Sequence, residues 1–172
     1  ENKITAKLEH FSKYVVINKT AFDALWNREF NNEETDKFTN IDLVFLLDVS
    51  GSMTTNDKNK IRADIVQEFV DNMSNSDRAA LVTFSSSTSI YTNLTSSKDE
   101  LNGAISKFRT TPDSGGTNIF TGLQAAETVM NTNSNSNSSR HIFLLTDGVS
   151  SDTPTDAFLT NMNNQGIKIH TI

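Results

Sequence analysis

A doubly wound α/β fold, with a mostly parallel sheet covered by helices on both faces, is what this sequence predicts. Two observations carry it. Nearly continuous apolar runs at 41–47, 141–145 and 167–172 read as strands buried on both faces. Between them lie segments with apolar residues at helical spacing, and strands alternating with such helices build parallel sheets.

The elements follow in order. Residues 1–18 alternate, with Ile4, Ala6 and Leu8 on one side, and suggest two short strands. Residues 20–30 read as a short helix and 31–40 as a polar, acidic linker. From 41 onward the pattern changes to the first buried strand. Ile61, Ile65, Phe69 and Met73 place a helix over 57–73. Residues 78–85 form a strand, with 89–93 as its hairpin partner. Leu101, Ala104, Ile105 and Phe108 mark a helix over 98–108, and Phe120, Leu123 and Met130 another over 117–130. The tract 131–139 holds only Asn, Thr and Ser, whose side chains compete for backbone hydrogen bonds, so it reads as an exposed loop. A strand at 141–145, a helix at 155–164 and a third buried strand at 167–172 complete the pattern. The expected division is 1–19 as the tail of a β-rich module, 20–39 as helix and linker, and 40–172 as the α/β domain.

Composition narrows function. The chain has 172 residues and a formal charge of −6, with no basic stripe, which argues against nucleic acid as a partner. No apolar run approaches the roughly 20 residues of a membrane-spanning helix, so no direct membrane insertion is expected. Cysteine is absent, which removes thiol catalysis, disulfides and Cys-ligated metals.

In a doubly wound sheet, ligands bind at the carboxyl ends of the strands where strand order reverses. Three polar segments lie there: Asp48-Val-Ser-Gly-Ser-Met53, Thr146-Asp-Gly148, and Ser114-Gly-Gly-Thr-Asn118, which opens a helix. Donors two apart in an extended strand are about 6.6 Å apart, too wide to converge on one ion. The first loop must therefore curl, which Gly51 permits. Asp48, Ser50, Ser52, Thr117 and Asp147 then offer only oxygens, the ligand set of a hard cation such as Mg²⁺, Mn²⁺ or Ca²⁺. Their two carboxylates just balance a divalent charge and leave it able to take a further anion from another molecule. Each segment alone also reads as a helix cap or a turn. A histidine site is disfavoured, since His10, His141 and His170 are scattered.

These three segments, in this order, resemble the metal-ion-dependent adhesion site of the von Willebrand factor A domain family. The resemblance covers roughly 40–172 and implies a Rossmann-like doubly wound fold that stops here before the family's last strand and C-terminal helix. It implies that Ser50, Ser52 and Thr117 donate hydroxyls to the ion, Mg²⁺ foremost, and that Asp48 and Asp147 act directly or through water. It further implies a protein or matrix ligand presenting a carboxylate. Met53, Ser114, Gly115, Asn118, Val149 and Ser150 are the expected exposed rim. Residues 1–30 are similar to the end of a β-rich module in bacterial surface or secreted proteins, which points to an extracellular or cell-surface setting. An intracellular assembly subunit of an ATP-driven complex is the alternative. An enzyme is not expected: a phosphoryl-transfer nucleophile at Asp48 needs a second carboxylate two residues on, where Ser50 stands, and neither a phosphate-binding loop nor a nucleophile elbow is present.

Overall fold

The computed structural model describes residues 40–132 and 137–171. The expected β-rich tail and helix-plus-linker, 1–19 and 20–39, lie outside these residues.

Five strands form one sheet: β1 (Asn40–Asp48), β2 (Arg78–Phe84), β3 (Thr88–Thr95), β4 (Ser138–Leu145) and β5 (Ile167–Thr171), in the order β3-β2-β1-β4-β5. β1 is central and parallel to both β2 and β4, β4 is parallel to β5, and only the β2–β3 hairpin is antiparallel. The helices are α1 (Met53–Asn56), α2 (Ile61–Asn72), α3 (Lys98–Thr110), α4 (Ile119–Asn131) and α5 (Asp156–Asn164).

The pleat divides β1 between two cores, because successive side chains point to opposite faces. Leu43, Phe45 and Leu47 pack with Val66 and Phe69 of α2 and Leu101, Ile105 and Phe108 of α3. Val44 and Leu46 pack with Leu123, Ala126 and Met130 of α4 and Met162 of α5. Leu43 to Leu47 are all fully buried, as a continuous apolar strand requires when both faces are covered.

Two expectations need correction. The helix over 57–73 begins later, at Ile61, after the single turn of α1. Lys60 interrupts it in the left-handed region (φ 52°), and the Asp57 carboxylate caps the restart, accepting from Ile61 N at 2.7 Å and Arg62 N at 3.2 Å. The third strand is not buried throughout: in β5 only Ile167 is buried, while Lys168 and Thr171 are exposed. Among the described residues it pairs on one side only, with β4.

Candidate functional site

β1 and β4 run in register from Asn40↔Ser138 to Leu47↔Leu145, so Asp48 and the Thr146–Asp147 pair emerge side by side at the carboxyl edge. β1 is also where the order reverses, with β2 on one flank and β4 on the other. The parallel geometry thus places the Asp48–Met53 and Thr146–Gly148 segments together.

The 48–52 loop curls as expected. Ser50 N donates to Asp48 Oδ1 (2.7 Å), turning the chain back over the strand end. The Ser50 and Ser52 hydroxyls then lie 3.1 Å apart, and Ser52 Oγ donates to Asp147 Oδ1 (2.9 Å). The segment holding Thr117 is tied to the same loop by Gly51 N to Gly115 O (3.0 Å) and Ser114 N to Val49 O (2.7 Å). Thr117 is buried, and its Oγ1 lies 3.7 Å from where a Cβ on Gly148 would stand, beside Asp147. The structure therefore brings all three donor segments into one cluster.

Glycine is needed at 115, where φ is +86° and a Cβ would come within 3.0 Å of Ser86 Oγ. Ser86 Oγ accepts from Gly116 N (2.7 Å), so the β2–β3 hairpin buttresses the Thr117 segment.

The electrostatics are unusual for a buried carboxylate. Asp48 is fully buried, yet among the described residues its carboxylate oxygens meet neutral donors: Ser50 N–H (2.7 Å to Oδ1) and the Thr146 hydroxyl (2.6 Å to Oδ2). Asp147 accepts from Ser52 Oγ and from the Asn56 amide. Among the described residues, no Lys, Arg or His nitrogen forms an ion pair with either. A buried charge without a counter-charge is expensive, so this pair of anions favours an added cation. The donor chemistry fits: Asp48, Ser50, Ser52 and Asp147 are linked by hydrogen bonds, the Thr117 hydroxyl lies near Gly148 beside Asp147, and every donor is oxygen.

The rim differs in part from expectation. Val149 is 94% exposed, and Ser114 and Gly115 are exposed. Met53 is 1% exposed, because the first turn of α1 folds it inward, so it does not line the rim. Asn118 is half-buried, its N donating to Ser85 O (3.0 Å). Ser150 Oγ is occupied in the scaffold, donating to Asp152 Oδ1 (2.6 Å) and accepting from Ile119 N (2.9 Å).

Four contributors escaped the sequence reading: Thr146, Asn56, Asp152 and Arg62. Thr146 and Asn56 hold the two carboxylates. Asp152 caps α4 from across the site, accepting from Phe120 N (2.9 Å), Thr121 N (3.0 Å) and Thr121 Oγ1 (3.0 Å). Burial pushes the Asp152 carboxyl up, but the Ser150 hydroxyl and these donors outweigh it and hold it below the usual range. The Thr-Asp-Gly segment itself contains Thr146; nothing local reveals the others, whose links to the site or its neighbouring segments run to Asp147, Phe120 and Asp113, tens of residues away.

A family model described as the von Willebrand factor type A domain matches residues 43–149. No curated protein matches the chain. Three solved structures illustrate the fold. The SpRpn10 VWA domain is 15% identical with a TM-score of 0.63, covering 76% of this chain and 73% of its own. Proximal thread matrix protein 1 from the mussel byssus, solved with a zinc-occupied MIDAS motif, is 26% identical with a TM-score of 0.65, covering 80% of this chain and 36% of its own. The pilus adhesin SpaC from Lactobacillus rhamnosus GG is 24% identical with a TM-score of 0.54, covering 64% of this chain and 16% of its own.

Proposed function

The chain belongs to the von Willebrand factor type A domain family, and from that premise we propose that it is a divalent-cation-dependent protein-binding module. The observation that carries this reading is the fully buried Asp48 carboxylate, joined to Asp147 through Ser50 and Ser52, with no ion pair to either carboxylate among the described residues.

Asp48, Ser50, Ser52, Thr117 and Asp147 would hold the ion. When bound, a divalent cation supplies positive charge and open coordination positions that a partner's carboxylate completes. The chain's own residues do the rest. Ser50 N–H and Thr146 Oγ1 fix the Asp48 carboxylate, and Ser52 and Asn56 fix that of Asp147. Because the remaining donors are neutral hydroxyls, the site keeps its attraction for an external anion.

Mg²⁺ is the ion this reading puts first, because an all-oxygen set with only two carboxylates suits a small hard cation, and Mn²⁺ is close enough in size to substitute.

The module acts by binding and not by catalysis: Ser50 stands where acid–base chemistry beside Asp48 would need a carboxylate. Its ligand is a protein or matrix component offering an acidic side chain beside Val149, Ser114 and Gly115. The zinc-occupied site in the byssal matrix protein supports both cation use and a setting outside the cell. Among the described residues no helix is long and apolar enough to cross a membrane.

Calorimetric titration of Mg²⁺, Mn²⁺ and Ca²⁺ into chelator-stripped protein tests the proposal. One saturable site, lost in Asp147→Ala, is the expected result. Equal uptake by the variant and the parent chain would place the cation elsewhere and overturn it.

A further inference from the structure

We propose that Arg62 is a positioning residue for this cation site: one buried guanidinium clamps the donor-bearing loops into register. The proposal rests on the cation-binding reading above and deepens it.

Arg62 is 1% exposed, at the start of α2. Each arm of its fork reaches a different segment. Nε meets Asp57 Oδ2 at 2.5 Å, at the α1–α2 junction. Nη1 donates to the main-chain carbonyl of Asp48, the carbonyl of a proposed ligand. Nη2 lies 3.3 and 3.2 Å from the two oxygens of Asp113, immediately before the Ser114–Thr117 stretch. Lys60 adds a second cation, donating to Thr111 O (2.7 Å) and Asp113 Oδ1 (3.2 Å). Two cations and two carboxylates make the cluster neutral, and the Phe108 ring packs 5.3 Å from the guanidinium carbon.

A buried ion cluster is weak evidence for stability, because a hydrophobic replacement often serves as well. Its targets here give the reason for its presence. The arms converge on a ligand's own carbonyl and on the loop bearing Thr117, and just above them the two loops are joined by the Gly51–Gly115 and Ser114–Val49 hydrogen bonds. Arginine can make this three-way planar fork and lysine cannot, although both carry the charge.

That difference supplies the test. Arg62→Lys and Asp113→Asn are compared with Arg78→Lys, which disturbs a remote, partly buried ion pair to Asp42 (2.6 Å), at the other end of the strand that carries Asp48. Three quantities are read on the full chain: melting temperature, amide hydrogen exchange at Gly51 and Ser114 without metal, and Mn²⁺ affinity. The expected result is faster exchange at both amides in Arg62→Lys and Asp113→Asn, and a loss in Mn²⁺ affinity of at least about tenfold, the scale seen when the support of a metal ligand is removed. Arg78→Lys lowers the melting temperature and changes neither. If Arg62→Lys fails to fold, Asp113→Asn carries the test alone. Folded variants with parental exchange and affinity, or Arg78→Lys producing the same losses, would overturn the proposal. If the parent chain takes up no Mn²⁺, the cation reading fails by itself, and the exchange rates decide on Arg62 by the same criterion.

Discussion

Two fully buried aspartates stand on the central strand, one at each end, and the protein treats them oppositely. Asp42, at the amino end, is met by the Arg78 guanidinium through Nε (2.7 Å) and Nη2 (2.6 Å). Asp48, at the carboxyl end, receives one amide and one hydroxyl. The first charge is neutralised within the chain, so its role ends with the fold. The second has no such partner among the described residues, and in the function proposed above it is the charge that an added cation would meet. Burial alone therefore does not mark a functional carboxylate; the nature of its partners does.

The sharpest way to break this contrast is to neutralise each aspartate in turn. Asp48→Asn is expected to lose cation uptake in calorimetry entirely while leaving the metal-free melting temperature unchanged or higher, since a costly buried charge is removed. Asp42→Asn should do the reverse. It leaves Arg78 without its carboxylate and costs about 3 kcal/mol, the lower end for a broken buried pair because Arg78 keeps some exposure, and it leaves cation uptake intact. Chemical denaturation measures that loss.

Next in size is the effect of the ion on stability. Mg²⁺ at a hundred times its dissociation constant should stabilise the parent and Asp42→Asn alike by about 2.7 kcal/mol, and Asp48→Asn not at all. A shift in Asp48→Asn would mean the contrast between the two ends is false.

The amino end of the sheet also carries an acid liability. His141 is fully buried, its Nδ1 2.9 Å from His170 Nε2 and its Nε2 2.6 Å from Ser139 Oγ. Burial, then the neighbouring His170 and Lys168, push it down to about 3. The unfolded chain binds this proton near pH 6.5 and the folded chain does not. Stability from His141 is therefore complete above pH 6.5 and declines as pH falls toward 3, by at most about 1.4 kcal/mol per pH unit. Melting temperatures from pH 8 to 4.5 should show this slope, and His141→Gln should flatten it.

The smallest effect belongs to the carboxyl end. Asp152→Ala removes the acceptor for the first amides of α4 and should cost about 1 kcal/mol in a denaturation curve. With its carboxyl held below the usual range, the Asp152 contribution is present above the unfolded value and disappears as pH falls through the folded one.

How much of this the sequence shows depends on where a residue's partners lie. The apolar run from Leu43 to Leu47 is legible because burial on both faces writes itself into consecutive residues. The break at Lys60 is not: the apolar residues that mark the helix, from Ile61 to Met73, all follow it, and only the left-handed backbone and the Asp57 cap reveal where the helix restarts. Met53 looks like a rim residue because it follows the donor loop, yet one turn of α1 rotates it into the core. β5 looks buried from its isoleucines, but its burial depends on how many neighbours the sheet provides, which no local pattern records.

By itself, then, the sequence determined the alternation of strands and helices and named the oxygen-bearing residues of the proposed site, because hydrophobic period and side-chain chemistry are local properties. Asp48, Ser50, Ser52, Thr117 and Asp147 are visible as a hard-cation set before any coordinate is known. Tertiary structure alone decided which charges stay uncompensated. Arg78 reaches Asp42 from the adjacent strand, and Arg62 reaches past Asp57 to Asp113, while among the described residues no basic side chain forms an ion pair with the carboxylate of Asp48 or Asp147. Electrostatic pairing depends on distances of a few ångströms between residues dozens of positions apart, and only the packed fold sets those distances.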